Sequence, residues 1–107
     1  MTRPVVLSRS REHQVEAKEL LRKVIPLSRR VQGEDHFYTL KMQWTYGDVL
    51  SSAPDATRED CLEAEKLLEK VFGRYRRMLG QNHPYTKTCE SQLHNARVMA
   101  RMRSQFG

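Results

Sequence analysis

The chain has 107 residues, of which 30% are charged, 38% hydrophobic and 7% aromatic, and its formal net charge is +6. That length fits one small domain or a piece of a repeat array, which excludes most multi-domain enzymes, and the composition suits a helix-rich soluble chain. No apolar run approaches the roughly 20 residues of a membrane-spanning helix, and the charge is regional: residues 70–107 hold eight basic groups against Glu90 alone.

At the N-terminus only Val5 to Leu7 form an apolar stretch, far short of a signal-peptide core. Residues 1–9 read as a flexible or capping leader, while Arg3, Arg9 and Arg11 without acids leave an organellar transit peptide open. From about residue 10, with Ser10 as a candidate cap, a long helix is predicted: Ala17, Leu20, Leu21, Val24, Ser28 and Val31 recur at helical spacing and define one face to be buried. Pro26 should kink this helix without breaking it. Gly33 falls just past the last apolar position, where a left-handed residue closes a helix, and Glu34, Asp35 and His36 supply capping side chains. A second helix is predicted from about Phe37 to Leu50, followed by turn formers from Ser51 to Ala56. Thr57-Arg58-Glu59-Asp60 has the pattern of a capping box and opens a third helix, whose stripe is Ala64, Leu67, Leu68, Val71, Tyr75 and Met78 and whose bend is expected at Gly73. Gly80 ends it, and Pro84 starts a fourth helix running to about Ser104.

These elements repeat. A shift of 47 residues lays Glu16-Ala17 on Glu63-Ala64, Leu20-Leu21 on Leu67-Leu68, Arg29-Arg30 on Arg76-Arg77, Gly33 on Gly80, His36 on His83 and Tyr38-Thr39 on Tyr85-Thr86, so that 12 of the 25 positions from 15 to 39 are identical. Residues 10–107 therefore read as a helical repeat domain of two units, about 13–59 and 60–107, with four antiparallel helices in an all-α layered arrangement.

Leu79-Gly80-Gln81-Asn82-His83-Pro84-Tyr85-Thr86 resembles the Leu-Gly-x-x-His-Pro-x-Thr junction of the long tetratricopeptide-repeat variant found in kinesin light chains. Gly33-Glu34-Asp35-His36-Phe37-Tyr38-Thr39-Leu40 is similar to the same junction, with Phe37 in place of proline, and Glu63-Ala64-Glu65-x-Leu67-Leu68 resembles the start of that family's second helix. The resemblance covers about residues 12 to 96 and implies a fragment of a right-handed tetratricopeptide-like α-solenoid. Against the family's general Trp-x-x-Leu-Gly-x-x-Tyr pattern, the chain reads Gln43-x-x-Tyr46-Gly47-x-x-Leu50 and then Glu90-x-x-Leu93-His94-x-x-Arg97, which keeps the small packing residue once and loses it once. In this register the chain starts on a second-type helix and ends on a first-type helix, so both outer helices lack a partner. Either a longer array or self-association is expected to cover them.

Catalytic chemistry has no constellation to rest on. His36 and His83 hold the same position in their repeats and are read as turn-packing histidines; Cys61 and Cys89 lie on helices at no metal-ligand spacing and are read as reduced, buried thiols of an intracellular, cytoplasmic protein. No phosphate loop, paired carboxylates or nucleophile elbow occurs, so no enzyme activity, metal or cofactor is expected.

What the resemblance implies is protein recognition, an adaptor or scaffold role in which first-type helices line a groove. Aligned on Gly47, that groove receives Lys41, Trp44, Asp48 and Ser51 from the second helix and Thr88, Ser91, Asn95 and Val98 from the fourth. Trp44 is the candidate anchor, because a rigid aromatic buries much area at little entropic cost; packing against a neighbouring helix or a partner subunit is the alternative. Asn95 fits one position of the family's carboxylate clamp, but Asp48 at the equivalent place would repel a carboxylate, so no clamp is expected; the kinesin light chain resemblance implies instead a peptide or partner helix of acidic or aromatic-acidic character, which suits the basic second half. The basic residues Lys70, Arg74, Arg76, Arg77, Arg97, Arg101 and Arg103, with Lys87, leave nucleic-acid binding as a disfavoured alternative, since aromatic residues for base stacking are few. A homodimer or assembly element is the third reading.

Overall fold

A computed structural model of the chain describes residues 5–106, with side chains described for residues 15–103. Four α-helices follow one another: α1 (Val5–Gln32), α2 (Phe37–Ser52), α3 (Arg58–Leu79) and α4 (Pro84–Phe106). Among the described residues there is no strand, and the fold is an all-α helical-repeat fragment. Each helix packs on the next, and α2 also packs on α4, whereas among the described residues α1 and α3 do not pack directly on one another. The radius of gyration, 14.6 Å, exceeds the roughly 13 Å of a compact chain this long, and the extents are 42 × 33 × 24 Å.

Local chemistry places the helix ends. Thr57 caps α3 through both halves of a capping box: the Asp60 N–H donates to Thr57 Oγ1 at 3.0 Å, and the Thr57 N–H donates to Asp60 Oδ2 at 3.1 Å. Glu59 and Asp60 in the first turn and Arg76 and Arg77 in the last complement the helix dipole. Gly33 and Gly80 close α1 and α3 with φ of 103° and 93°, a region open to glycine, and their N–H groups donate back to the Arg29 and Arg76 carbonyls. Gly80 has ψ of 162°, so it reverses the chain in an extended glycine-only conformation rather than the left-handed helical one. α1 already begins at Val5, which puts Ser10 inside the helix and not at its cap. The flexible or capping role expected of residues 1–9 falls on side chains outside those described. Pro26 and Gly73 sit within unbroken helices.

The core surrounds α3. Leu40, Tyr46 and Leu50 from α2, Ala64, Leu68, Val71 and Tyr75 from α3, Cys89, Leu93 and Ala96 from α4 and Ile25 from α1 form one buried cluster. Gly47 permits a close α2–α3 contact, since a Cβ there would stand 2.7 Å from Leu68 Cγ. The predicted apolar faces are only partly buried. Leu20 is 61% exposed, Val31 80% and Met78 52%, while the buried side of α1 is Ile25 and Ser28. The reason is neighbour number: among the described residues α1 packs on α2 alone, so one sector of its apolar surface is covered, whereas α3, between α2 and α4, has two sectors covered.

Candidate functional site

The two helix junctions carry the repeated residues, and their geometry repeats too. The Tyr38 N–H donates to His36 Nδ1 and the Tyr85 N–H to His83 Nδ1, both at 3.1 Å. The Leu40 and Lys87 N–H groups donate to the His36 and His83 carbonyls, both at 3.0 Å. Each histidine is thus the N-cap of the following helix, accepting at Nδ1 and keeping its ring proton on Nε2. Among the described residues no group of His, Cys, Asp or Glu side chains is placed to hold a metal ion.

These junctions also deliver aromatic rings to one place. Phe37 and Tyr85 lie 5.4 Å apart, Tyr85 and Trp44 5.7 Å, and Trp44 meets Tyr75 edge-on at 6.2 Å. Tyr75 is fully buried, Trp44 and Tyr85 are half-buried, and Phe37 and Tyr38 are exposed, so the cluster runs from the core to the surface between α2 and α4. Sequence reasoning gave a binding role to Trp44 alone of this group, placing Tyr75 in the buried stripe and Phe37 and Tyr85 in the junctions. The repeat equivalence of Tyr38 with Tyr85 could have suggested the others, but not that α2 and α4 would bring them together.

Of the residues expected along α2 and α4, Lys41, Thr88, Ser91 and Asn95 are exposed, and Trp44, Asp48 and Val98 are half-buried. Desolvation pushes the Asp48 carboxyl above the usual carboxylate range. Ser51 faces inward: it is buried, and its hydroxyl donates to the Gly47 carbonyl at 3.1 Å.

The basic residues are dispersed and largely engaged. Lys70 pairs with Glu34 at 2.5 Å, Arg74 pairs with Asp35, and Arg97 reaches Glu65 at 3.3 Å and Glu69 at 2.7 Å. The Lys70 hydrogen bond holds the Glu34 carboxyl below its ordinary range, and bonding to Glu69 raises Arg97 further. Arg76 stacks over Phe72, 5.4 Å from the ring centre, and Arg103 donates to the Pro54 carbonyl. Arg77 and Arg101 are exposed. Cys61 and Cys89 are free and buried, and burial raises both thiols, Cys89 to about 12. No helix among the described residues is long and apolar enough to cross a membrane.

Stacked helices, a repeated glycine turn and a repeated histidine cap define a helical-repeat protein. Residues 56–85, from the residue before the Thr57 cap through α3 to the second residue of α4, match the tetratricopeptide-repeat family. No curated protein and no solved structure matches the chain.

Proposed function

We propose that the chain is a non-catalytic protein–protein interaction module that binds a peptide or partner helix across α2 and α4. Tetratricopeptide repeats generally mediate such contacts. The observation that carries the reading is the aromatic cluster of Phe37, Trp44 and Tyr85, which reaches the surface between α2 and α4, and the reading takes Lys41, Asp48, Thr88, Ser91 and Asn95 of the same two helices as its polar frame. Rigid aromatics in a polar frame are the usual anchors of a protein interface, because they bury area while losing little side-chain entropy. The likeness of both junctions to the kinesin light chain variant favours the same use. Partner capture from cells with the intact chain and with Trp44→Ala and Lys41→Glu tests it; partners retained equally by both variants, each shown to be folded by circular dichroism, would remove this face.

One observation favours a second reading, assembly. Leu20, Leu27 and Val31 leave a line of exposed apolar side chains on α1, a surface that water disfavours and another helix could cover. Sedimentation at micromolar concentration decides it: a dimer that Leu20→Glu dissociates is expected, and a monomer defeats it. Nucleic-acid binding is weakened by the ion pairs that occupy Lys70, Arg74 and Arg97.

A further inference from the structure

Both helix junctions lie at the same end of the helices. The Phe37 and Tyr85 rings, one from each junction, are 5.4 Å apart, and the ion pairs of Lys70 with Glu34 and Arg74 with Asp35 tie the last turns of α3 to the turn after α1. Charge gathers at this end. Residues 27–41 and 70–87 carry eight basic side chains against Glu34 and Asp35, whereas the rest of residues 15–103 carries eight basic against ten acidic. An excess that reads along the chain as a property of its second half is, once folded, a property of one end. Glu34 and Asp35 hold Arg29, Lys70 and Arg74, while Arg30, Lys41, Arg77 and Lys87 are exposed and have no acidic partner among the described residues.

The same end is apolar. Of the nine large hydrophobic side chains exposed among the described residues, five stand here: Val31, Phe37, Tyr38, Met78 and Leu79. Each lies in the first or last turn of its helix, so the patch is made of helix ends and not of a helix flank. Further repeats would stack on the flanks of α1 or α4 and leave this end open. A patch that is both apolar and cationic is poorly served by most partners. A soluble polyanion would meet the cations and leave Val31, Met78 and Leu79 in water, and an apolar protein surface would desolvate the cations without answering them. The boundary of an anionic bilayer accepts both, because apolar side chains and tyrosine rings settle at headgroup depth while Lys and Arg meet the lipid charges.

We propose that this end is a docking surface for an anionic lipid bilayer, with Phe37, Tyr38, Met78 and Leu79 set into the headgroup region and Arg30, Arg77, Lys41 and Lys87 facing the anionic headgroups. The helices then stand on the membrane by their ends, and no membrane-spanning helix is required; none is present among the described residues. The surface shares Phe37 with the edge of the aromatic cluster but not Trp44, and it stands whether or not α2 and α4 bind a peptide.

The test is co-sedimentation of the full chain with vesicles of phosphatidylcholine alone and with about 30% phosphatidylserine. Binding is expected to the serine-containing vesicles, to fall as salt is raised, and to be absent from the neutral ones. Arg30→Gln combined with Arg77→Gln should weaken it about thirtyfold. Tyr38→Gln combined with Met78→Gln, at positions 57% and 52% exposed, should weaken it about tenfold. Lys66→Gln removes an equally exposed charge about 20 Å along α3 from Leu79 and should leave it unchanged. Circular dichroism confirms that each variant is helical, which exposed substitutions at these positions permit. Equal binding to neutral vesicles, equal loss with Lys66→Gln, or undiminished binding by folded Tyr38→Gln/Met78→Gln would each overturn the proposal. So would no binding at millimolar lipid, competition by the soluble headgroup glycerophosphoserine, or capture of a single-stranded oligonucleotide in preference to the vesicles.

Discussion

Alanine at Gly47 and alanine at Gly73 are expected to move stability in opposite directions, although both glycines lie inside helices. Relative to glycine, alanine in a helix interior gains about 1 kcal/mol from reduced backbone freedom in the unfolded chain. At Gly73 nothing lies within 4 Å of the added Cβ, so that gain is realised in full. At Gly47 the Cβ would stand 2.7 Å from Leu68 Cγ and 3.0 Å from Cδ2. Leu68 is fully buried in the central cluster, so its retreat would displace packed neighbours. Overpacking of this kind costs about 1–3 kcal/mol, which outweighs the helix gain by up to about 2 kcal/mol. For a domain of this size 1 kcal/mol moves Tm by about 4–8 °C. Thermal unfolding followed at 222 nm should therefore place Gly73→Ala several degrees above the parent and Gly47→Ala below it. If Gly47→Ala rises as far as Gly73→Ala, the α2–α3 contact is looser than the geometry states and the reasoning fails.

Other consequences are equally direct. His83→Ala removes the N-cap acceptor of α4 and should cost about 1 kcal/mol in urea unfolding, whereas His83→Asp restores an acceptor and should recover most of it; equal loss in both variants would deny the cap. Gln43→Met should raise stability by about 1 kcal/mol by removing an unmet amide, and a fall of that size would show that the amide is satisfied in the folded chain. Stability should also decline in alkali. Burial lifts the Cys89 thiol from an ordinary 9.0 and the Tyr75 hydroxyl from an ordinary 10.0, each to about 12. The unfolded chain releases these protons first, so their contribution is fully present below pH 9 and is lost as pH rises towards 12. Urea midpoints measured across that window should fall, and Cys89→Ala should flatten the slope; an unchanged slope would argue that the thiol is not desolvated.

The chain by itself determined whatever depends on neighbours within a few residues. The glycine closures at residues 33 and 80, the His36 and His83 caps and the Thr57 capping box are local hydrogen-bonding problems with local solutions, and the 47-residue self-match shows that two junctions solve them alike. Helix number, order and most boundaries follow from those signals together with the apolar spacing. What the spacing could not state is how many neighbours each helix has. Leu20 and Val31 fit the apolar pattern of α1 and yet face water, because only α2 packs there. Trp44 reads as an isolated anchor but shares its surroundings with Tyr75 and Tyr85 from two other helices. A run of basic residues becomes a set of ion pairs once Glu34, Asp35, Glu65 and Glu69 are brought across from other elements. Gln43 is one more polar residue on a helix until α1 and α3 close around it and leave a cleft between them. In each case the deciding quantity is a distance between residues far apart in the chain, and only packing sets it.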